Sequence, residues 1–507
     1  MKAKMTLFIL IFAAAAIVSA YKISHGASNE LRVAIDKDMV ELDPATFRTT
    51  TDRLLGINIF NGLLTYKPGT SEIEKDLAES YEISPDGKII TFKLRKGVKF
   101  HKGYGELISS DVKFSIMRHL DPKVKSRDLV NFSIVDRVET PDKYTAKVFL
   151  KNPSMGFLGL IAYHSGFVLS EKAVNELGSK HGTQPVGTGP FQFDSRVPGS
   201  EIVLTSHSDY FEGPSKIKKL IFKVIPDPSV SINAVQKGEI DFYSVENIGA
   251  FHSMQRIKDK NFTIFSSDKG SLSTYLHYLN CRRDPCKDLK VRQAVAHAIN
   301  ADAIVKSFGG LVNPNPSLFP PPLPGYTDKL PVYKYDVNRA KQLLKEAGHS
   351  EKTKFIVTYV DFGLDEAYAI MAKDYLSKIL DVELIKWDIA VFTEKLREGK
   401  WDLYAMCLTR PTENIFCNQF YHSKAPGNFP GYENAEMDRL IEQADMEQNA
   451  VKRKALYAKV QEIMAINLPY LAAGVHNNTE IMHKTLEGII PEAATGVAKF
   501  YKAYFKE

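Results

Sequence analysis

The sequence predicts an α/β protein. Three observations carry that reading. Short runs alternate apolar with polar residues between turn signals, longer runs repeat apolar residues at helical spacing, and in the second half the two kinds of run alternate. A chain of 507 residues suggests about three folding units. With 44% hydrophobic and 25% charged residues it is neither a disordered chain nor a polytopic membrane protein. The basic excess is small, 66 Lys and Arg against 60 Asp and Glu, and no basic block is long enough to track a phosphate backbone. Nucleic acid is therefore not expected as a partner.

Residues 1–27 read as a signal peptide. Lys2 and Lys4 precede an apolar run from Thr6 to Val18, and Val18-Ser19-Ala20 or His25-Gly26-Ala27 offers a cleavage site. The run is short for a bilayer span, no Cys follows it to carry a lipid, and no later stretch reaches spanning length. The expected location is outside the cytoplasm, with a membrane tether only if the segment is not cleaved.

The elements follow in order. Leu31–Ile35 reads as a strand, and Leu54, Leu55, Ile57, Ile59, Phe60, Leu63 and Leu64 give a helical apolar face that Gly62 weakens. Ser84-Pro-Asp-Gly87 turns into a strand with Ile90, Phe92 and Leu94 on one face. Pro141-Asp-Lys143 turns into another, with Ala146, Val148 and Leu150 on one face. Asp111 is placed to cap a helix from Val112, and Asp336 one that carries Ala340, Leu343, Leu344 and Ala347 and ends at Gly348. Val291–Ile299 and Met437–Ala444 read as helices, Phe355–Val360 and Asp381–Ile385 as strands. Gly187 and Gly189, flanking Thr188 ahead of Pro190, supply backbone freedom for a tight turn into a strand at Phe191, without the glycine spacing or the Lys of a nucleotide loop.

Four cysteines fall in two local pairs, Cys281 with Cys286 and Cys407 with Cys417. In an oxidising compartment these local pairs are the preferred disulfides, although four cysteines allow three connectivities. Neither spacing fits a common zinc module, so no metal site and no cofactor are expected.

Several segments together resemble the extracellular solute-binding protein family 5, the oligopeptide-, dipeptide- and nickel-binding proteins of ABC transporters. They are Leu42-Asp-Pro44, Phe60–Leu64, Ala78–Tyr81 with Asp86-Gly87, Phe92–His101, Asp111–Ser115, Val186–Phe191, Gly238–Asp241, Val291–Ala294 and Tyr335–Gly348, in the family's order. The resemblance implies a two-lobed periplasmic clamp of class II-like form with an extra subdomain in the first lobe. Residues 28–59, 188–279 and 476–507 would form the first lobe, 60–187 the appended subdomain and 280–475 the second lobe. It further implies a monomer that closes on a small-molecule or peptide ligand and passes it to ABC transporter permease subunits.

Peptide-binding relatives hold the ligand's ammonium with an aspartate after a tryptophan in a second-lobe loop. Here the strand Trp401–Met406 leads to the loop Cys407–Asn414, where the tryptophan position falls on Leu408 and the aspartate position on Pro411. Two readings remain open. Arg410, aided by Arg48 from the first lobe, faces a ligand anion, or Glu413 takes the aspartate's role. Against both, Arg410 is a solvated loop residue or pairs with Glu413. Phe47, Phe362 and Tyr404 are candidates for packing on a ligand, though each also suits core or wall, and His164 lies where cleft contacts arise in the family.

An exported hydrolase is the rival from another class. The chain has no Gly-x-Ser-x-Gly elbow and no His-Glu-x-x-His helix, and Glu239 with Asp241 falls in a segment of structural type. A ligand-loaded partner of a membrane receptor would share the same fold. The expected function is capture of a short peptide or amino-acid-derived ligand for import, with no reaction catalysed.

Overall fold

The computed structural model describes residues 29–245, 248–257, 261–266, 271–360, 364–388, 390–492 and 496–506. Residues 1–27, read above as a signal peptide, and Phe362 lie outside the described residues.

Two sheets organise the chain. The first has seven strands in the order Phe262–Ser266, Thr479–His483, Phe242–Ser244, Glu30–Ile35, Lys219–Val224, Glu201–Ser206 and Phe191–Val197. Glu30–Ile35 runs parallel to both of its neighbours, and its Leu31, Val33, Ala34 and Ile35 are buried there. The second sheet orders Val312–Asn313, Tyr470–His476, Ser273–Leu279, Leu403–Thr409, Lys354–Val360 and Asp381–Trp387. Here Lys354–Val360 is parallel to the strands on either side. The chain passes from one sheet to the other between Ser266 and Ser273 and returns between His476 and Thr479. The crossing expected at 279/280 therefore moves ahead of Ser273, because Ser273–Leu279 pairs along its length with Leu403–Thr409.

A third sheet, Ala78–Ile83, Ile89–Leu94, Thr145–Leu150 and Val135–Asp142, lies between two strands of the first sheet in sequence. Its alternation is the one read above: Ile90, Phe92 and Leu94 with Ala146, Val148 and Leu150 are buried. One continuous apolar cluster runs from this subdomain, through Phe92, Phe132 and Phe157, into the second lobe at Phe416, Tyr421 and Trp401.

Local chemistry sets the helix ends. Asp336 accepts the Arg339 backbone N–H at 2.9 Å and starts Val337–Glu346, whose Ala340, Leu343 and Leu344 are buried. Three readings change. The helix expected from Val112 begins at Ser109, so Asp111 sits in its first turn, where its carboxylate accepts the Ile108 and Glu171 backbone N–H groups at 3.0 Å each. The first apolar helix ends at Ile59, before Gly62. Gly187 and Gly189 do not adopt left-handed angles. They are needed for close approach instead, since a Cβ on Gly187 would stand 2.1 Å from the Ile59 carbonyl oxygen and one on Gly189 2.5 Å from the Ile59 carbonyl carbon.

The expected disulfides are absent, and all four cysteines are thiols. Cys281 and Cys286 donate to the carbonyls of Leu279 and Asp402. Their turn is closed by Arg292, whose Nη1 donates to the Cys286 and Lys287 carbonyls at 2.8 and 2.9 Å. Cys407 lies within a strand at the cleft, whereas Cys417 is buried among Phe416, Tyr421 and Tyr457.

Candidate ligand cleft

In open α/β sheets ligands bind beyond the carboxyl ends of the parallel strands, where the backbone leaves room between diverging loops. Both sheets turn those ends toward one cavity of about 1270 Å³. Ser244 and the segment Val40–Arg53 reach it from the first lobe, and Val360, Asp365 and the stretch Tyr404–Arg410 from the second. His476 and Asn478, at the return crossing, form part of its wall.

The first-lobe wall is held by one carboxylate. Thr49 caps the helix Thr50–Ile59 by accepting the Asp52 N–H, and Asp52 in return accepts the backbone N–H groups of Val40, Arg48 and Thr49 at 2.8, 3.1 and 3.0 Å. Arg48 is thereby fixed at its backbone while its side chain stays exposed at the cavity. Phe47 is 5% exposed and packs under Gly56, where an added Cβ would meet its ring at 2.5 Å. It reaches the cavity as wall, with His164 tilted on it at 5.4 Å between ring centroids.

The second-lobe wall differs from the expected loop. The strand continues to Thr409 and a helix begins at Glu413, so only three residues connect them. Arg410 is at the cavity. Its Nε donates to Gln419 Oε1, its Nη1 to the Thr409 carbonyl at 2.7 Å, and its guanidinium lies 5.0 Å from the Phe420 ring centre. It does not pair with Glu413. Thr412 caps the short helix, which turns Glu413 into the second lobe. There its carboxylate accepts the Gly325 N–H, and burial raises its pKa above the ordinary range. The reading of Glu413 as an ammonium partner is thus corrected: it is 8% exposed and lies outside the cavity lining. Tyr404 does line the cavity, at 1% exposure.

The charges are uneven. Arg48, Arg53, Arg127 and Arg410 converge from the first lobe, the subdomain and the second lobe. Arg118, on the same wall, is neutralised by Asp43. The pKa of Arg127 is lowered by burial first and then by Arg410, with Arg48 and Arg53 contributing. His164 is pushed well below its ordinary value by burial and by Arg53, Arg410 and Arg127, so it is neutral, and its Nδ1 has no hydrogen-bond partner. Asp365 carries a second unsatisfied atom, although its carboxyl accepts the Cys407 backbone N–H. It is 2% exposed, its Oδ1 accepts nothing, and burial holds its carboxyl well above the ordinary range. Arg53, Arg127 and Asp365 escaped the sequence reading. The basic spacing Lys123-x-Lys125-x-Arg127 was the available signal for one of them.

Subdomain and second lobe touch across the cleft. Gln419 Nε2 donates to Asp128 Oδ1 at 3.2 Å, Ser154 Oγ to Asp445 Oδ1 at 2.6 Å, and Ser71 Oγ to the Pro322 carbonyl at 2.8 Å. These contacts tie the subdomain to the second lobe beside the cavity.

Two α/β lobes joined by two crossings, with a cavity walled from both, define a two-lobed solute clamp. The chain belongs to the bacterial extracellular solute-binding proteins, family 5, whose middle region matches residues 72–425. It is 28% identical over 505 residues to the Di/tripeptide-binding protein 2 of Pseudomonas aeruginosa, covering 92% of each chain. It is also 28% identical to the dipeptide-binding protein of Escherichia coli, covering 87% of this chain and 88% of that one. Among solved structures, the periplasmic binding protein DppA of Helicobacter pylori in complex with the peptide STSA superposes with a TM-score of 0.83 at 26% identity, covering 94% of this chain and 98% of that one. MoaA of A. tumefaciens in complex with mannopinic acid gives 0.83 at 27%, covering 95% and 100%.

Proposed function

We propose that this protein is exported, captures a short peptide or amino-acid-derived solute between its lobes outside the cytoplasm, and delivers it as a monomer to the permease subunits of an ABC importer. The observation that carries the reading is the cleft itself. Residues from both lobes and from the subdomain face one shared volume, so a ligand gains contacts in the closed state that the open state lacks, and it shifts the equilibrium by that difference. Relatives that bind di- and tripeptides support the solute class. No reaction is catalysed in this reading.

The ammonium clamp of the peptide-binding relatives is not reproduced at Pro411, and Arg410 stands beside that position with its guanidinium on the cavity. An anionic group of the ligand is therefore the natural partner of Arg410. Native mass spectrometry of the protein purified without unfolding tests the function. A ladder of di- to pentapeptide masses supports sequence-tolerant peptide capture, and one small adduct supports a dedicated solute. A bare protein that no peptide or amino-acid derivative stabilises against heat refutes the reading.

A further inference from the structure

The described lining of the cavity carries seven cationic side chains and four acidic ones. Asp43 is committed to Arg118, and Asp128 accepts from Asn131 and Gln419 while its charge partly offsets that of Arg127. Glu41 accepts the Thr46 hydroxyl at 2.9 Å, and burial raises the carboxyl of Asp365 well above its ordinary value. Arg48, Arg53, Arg127 and Arg410 make no ion pair among the described residues. What they do bind is neutral: Arg53 Nη2 donates to the Thr50 hydroxyl at 3.1 Å, Arg127 Nη1 to the Phe47 carbonyl at 3.1 Å, and Arg410 to Gln419 and the Thr409 carbonyl. Two further groups beside them are buried and unsatisfied, Arg53 Nε and His164 Nδ1.

Buried polar atoms normally find partners, and like charges gathered in a partly desolvated cleft repel one another. A protein keeps such an arrangement where a ligand of the opposite sign completes it. A peptide's single terminal carboxylate has two oxygens and one charge, too few for four guanidinium forks, each of which presents five N–H donors. A phosphate monoester brings three acceptor oxygens and about −1.5 to −2 charge, and a pair of carboxylates brings four oxygens and two charges. We infer that Arg48, Arg53, Arg127 and Arg410 form a subsite for a doubly charged oxyanion group on the solute. The inference rests on the capture function proposed above and narrows its ligand. Because the four come from three structural units, the anion joins both lobes and is the group that rewards closure.

The test compares three dipeptides with one backbone, Ala-Ser, Ala-Glu and Ala-phosphoserine, together with inorganic phosphate and citrate. Binding is measured by calorimetry on the refolded, ligand-free protein. At least one of the two acidic dipeptides should bind tenfold or more tighter than Ala-Ser, and which one does so tells a phosphate from a carboxylate pair. Arg127→Gln and Arg53→Gln should each erase that preference while melting near the parent, and the His164 ring resonances should move when the preferred dipeptide binds. Equal affinity for the three dipeptides overturns the inference and leaves peptide capture standing. Binding of phosphate or citrate but of no dipeptide sustains the oxyanion subsite and overturns peptide capture. No binding by any of the five overturns both.

Discussion

Gly159→Ala separates closure of the clamp from stability of the fold. Gly159 lies in the subdomain helix Gly156–Ala162, which faces the second lobe at Thr412 and Asn414. A Cβ there would stand 2.3 Å from Thr412 Cγ2 and 3.0 Å from Tyr66 Oη, against an ordinary contact of 3.4 Å or more. Neither neighbour yields easily. Thr412 is held as the cap of the next helix, and Tyr66 donates to the Gly159 carbonyl at 2.7 Å. Overpacking of this kind costs about 1–3 kcal/mol. A subdomain that moves with the first lobe, into whose sheet its flanking strands run, would meet Thr412 only on closing. The cost then falls on the closed state, and ligand affinity should drop roughly 5- to 150-fold at about 1.4 kcal/mol per factor of ten. The ligand-free protein should lose little stability: only the 3.0 Å approach to Tyr66, in the same subdomain, persists there, and alanine's preference for a helix over glycine, about 1 kcal/mol, offsets it. Calorimetry and thermal melts on the same preparation check both halves. Unchanged affinity with a lower melting temperature would refute the reasoning, since it would mean that the contact with Thr412 is permanent.

Four further outcomes follow from particular side chains. Arg410→Ala should weaken ligand binding at least tenfold, as loss of a buried charge-assisted contact does; unchanged affinity in a titration would remove Arg410 from the site. Gly187→Ala should unfold the protein or lower its denaturation midpoint steeply, because the nearest atom, at 2.1 Å, is backbone and cannot rotate away. Asp241→Asn should cost about 3 kcal/mol in denaturant unfolding: the fully buried carboxylate accepts Arg32 Nε, Nη2 and the backbone N–H within 2.9 Å, and the change leaves a partly buried arginine charge uncompensated. Burial raises Glu480, on the strand just past the return crossing, to about 7. The folded protein therefore holds that proton more tightly than the unfolded chain, and the resulting stability is full below the ordinary carboxyl range and is lost as pH rises through about 7. Glu480→Gln should remove that loss, gaining up to roughly 3 kcal/mol on the parent between pH 5 and 8; parallel stability curves would contradict it.

The sequence by itself determined the elements and the class of fold. Period-two runs such as Ile90, Phe92 and Leu94 form strands because alternate side chains leave opposite faces, and Asp336 starts its helix because a short acid can accept an orphan N–H. Those forces act within a few residues, so they are legible without a fold. The order of the motifs then pointed to the two-lobed clamp, which the family match establishes. It also brought Arg48, Phe47, Tyr404, His164 and Arg410 to attention, and all five line the cavity. Only tertiary structure decided how these groups act. Glu413 is three residues from Arg410, yet the Thr412 cap turns it to Gly325, because a helix start reverses the direction of side chains that a loop would leave free. Cys407 and Cys417 are near in sequence and unbonded because one stands in a strand and the other beneath the turn that follows. Arg53 and Arg127 are 74 positions apart in number, and nothing local relates them. Their charges meet because sheet pairing and lobe closure bring three separate stretches of chain around one volume, and Coulomb repulsion depends on distance in space, not along the sequence.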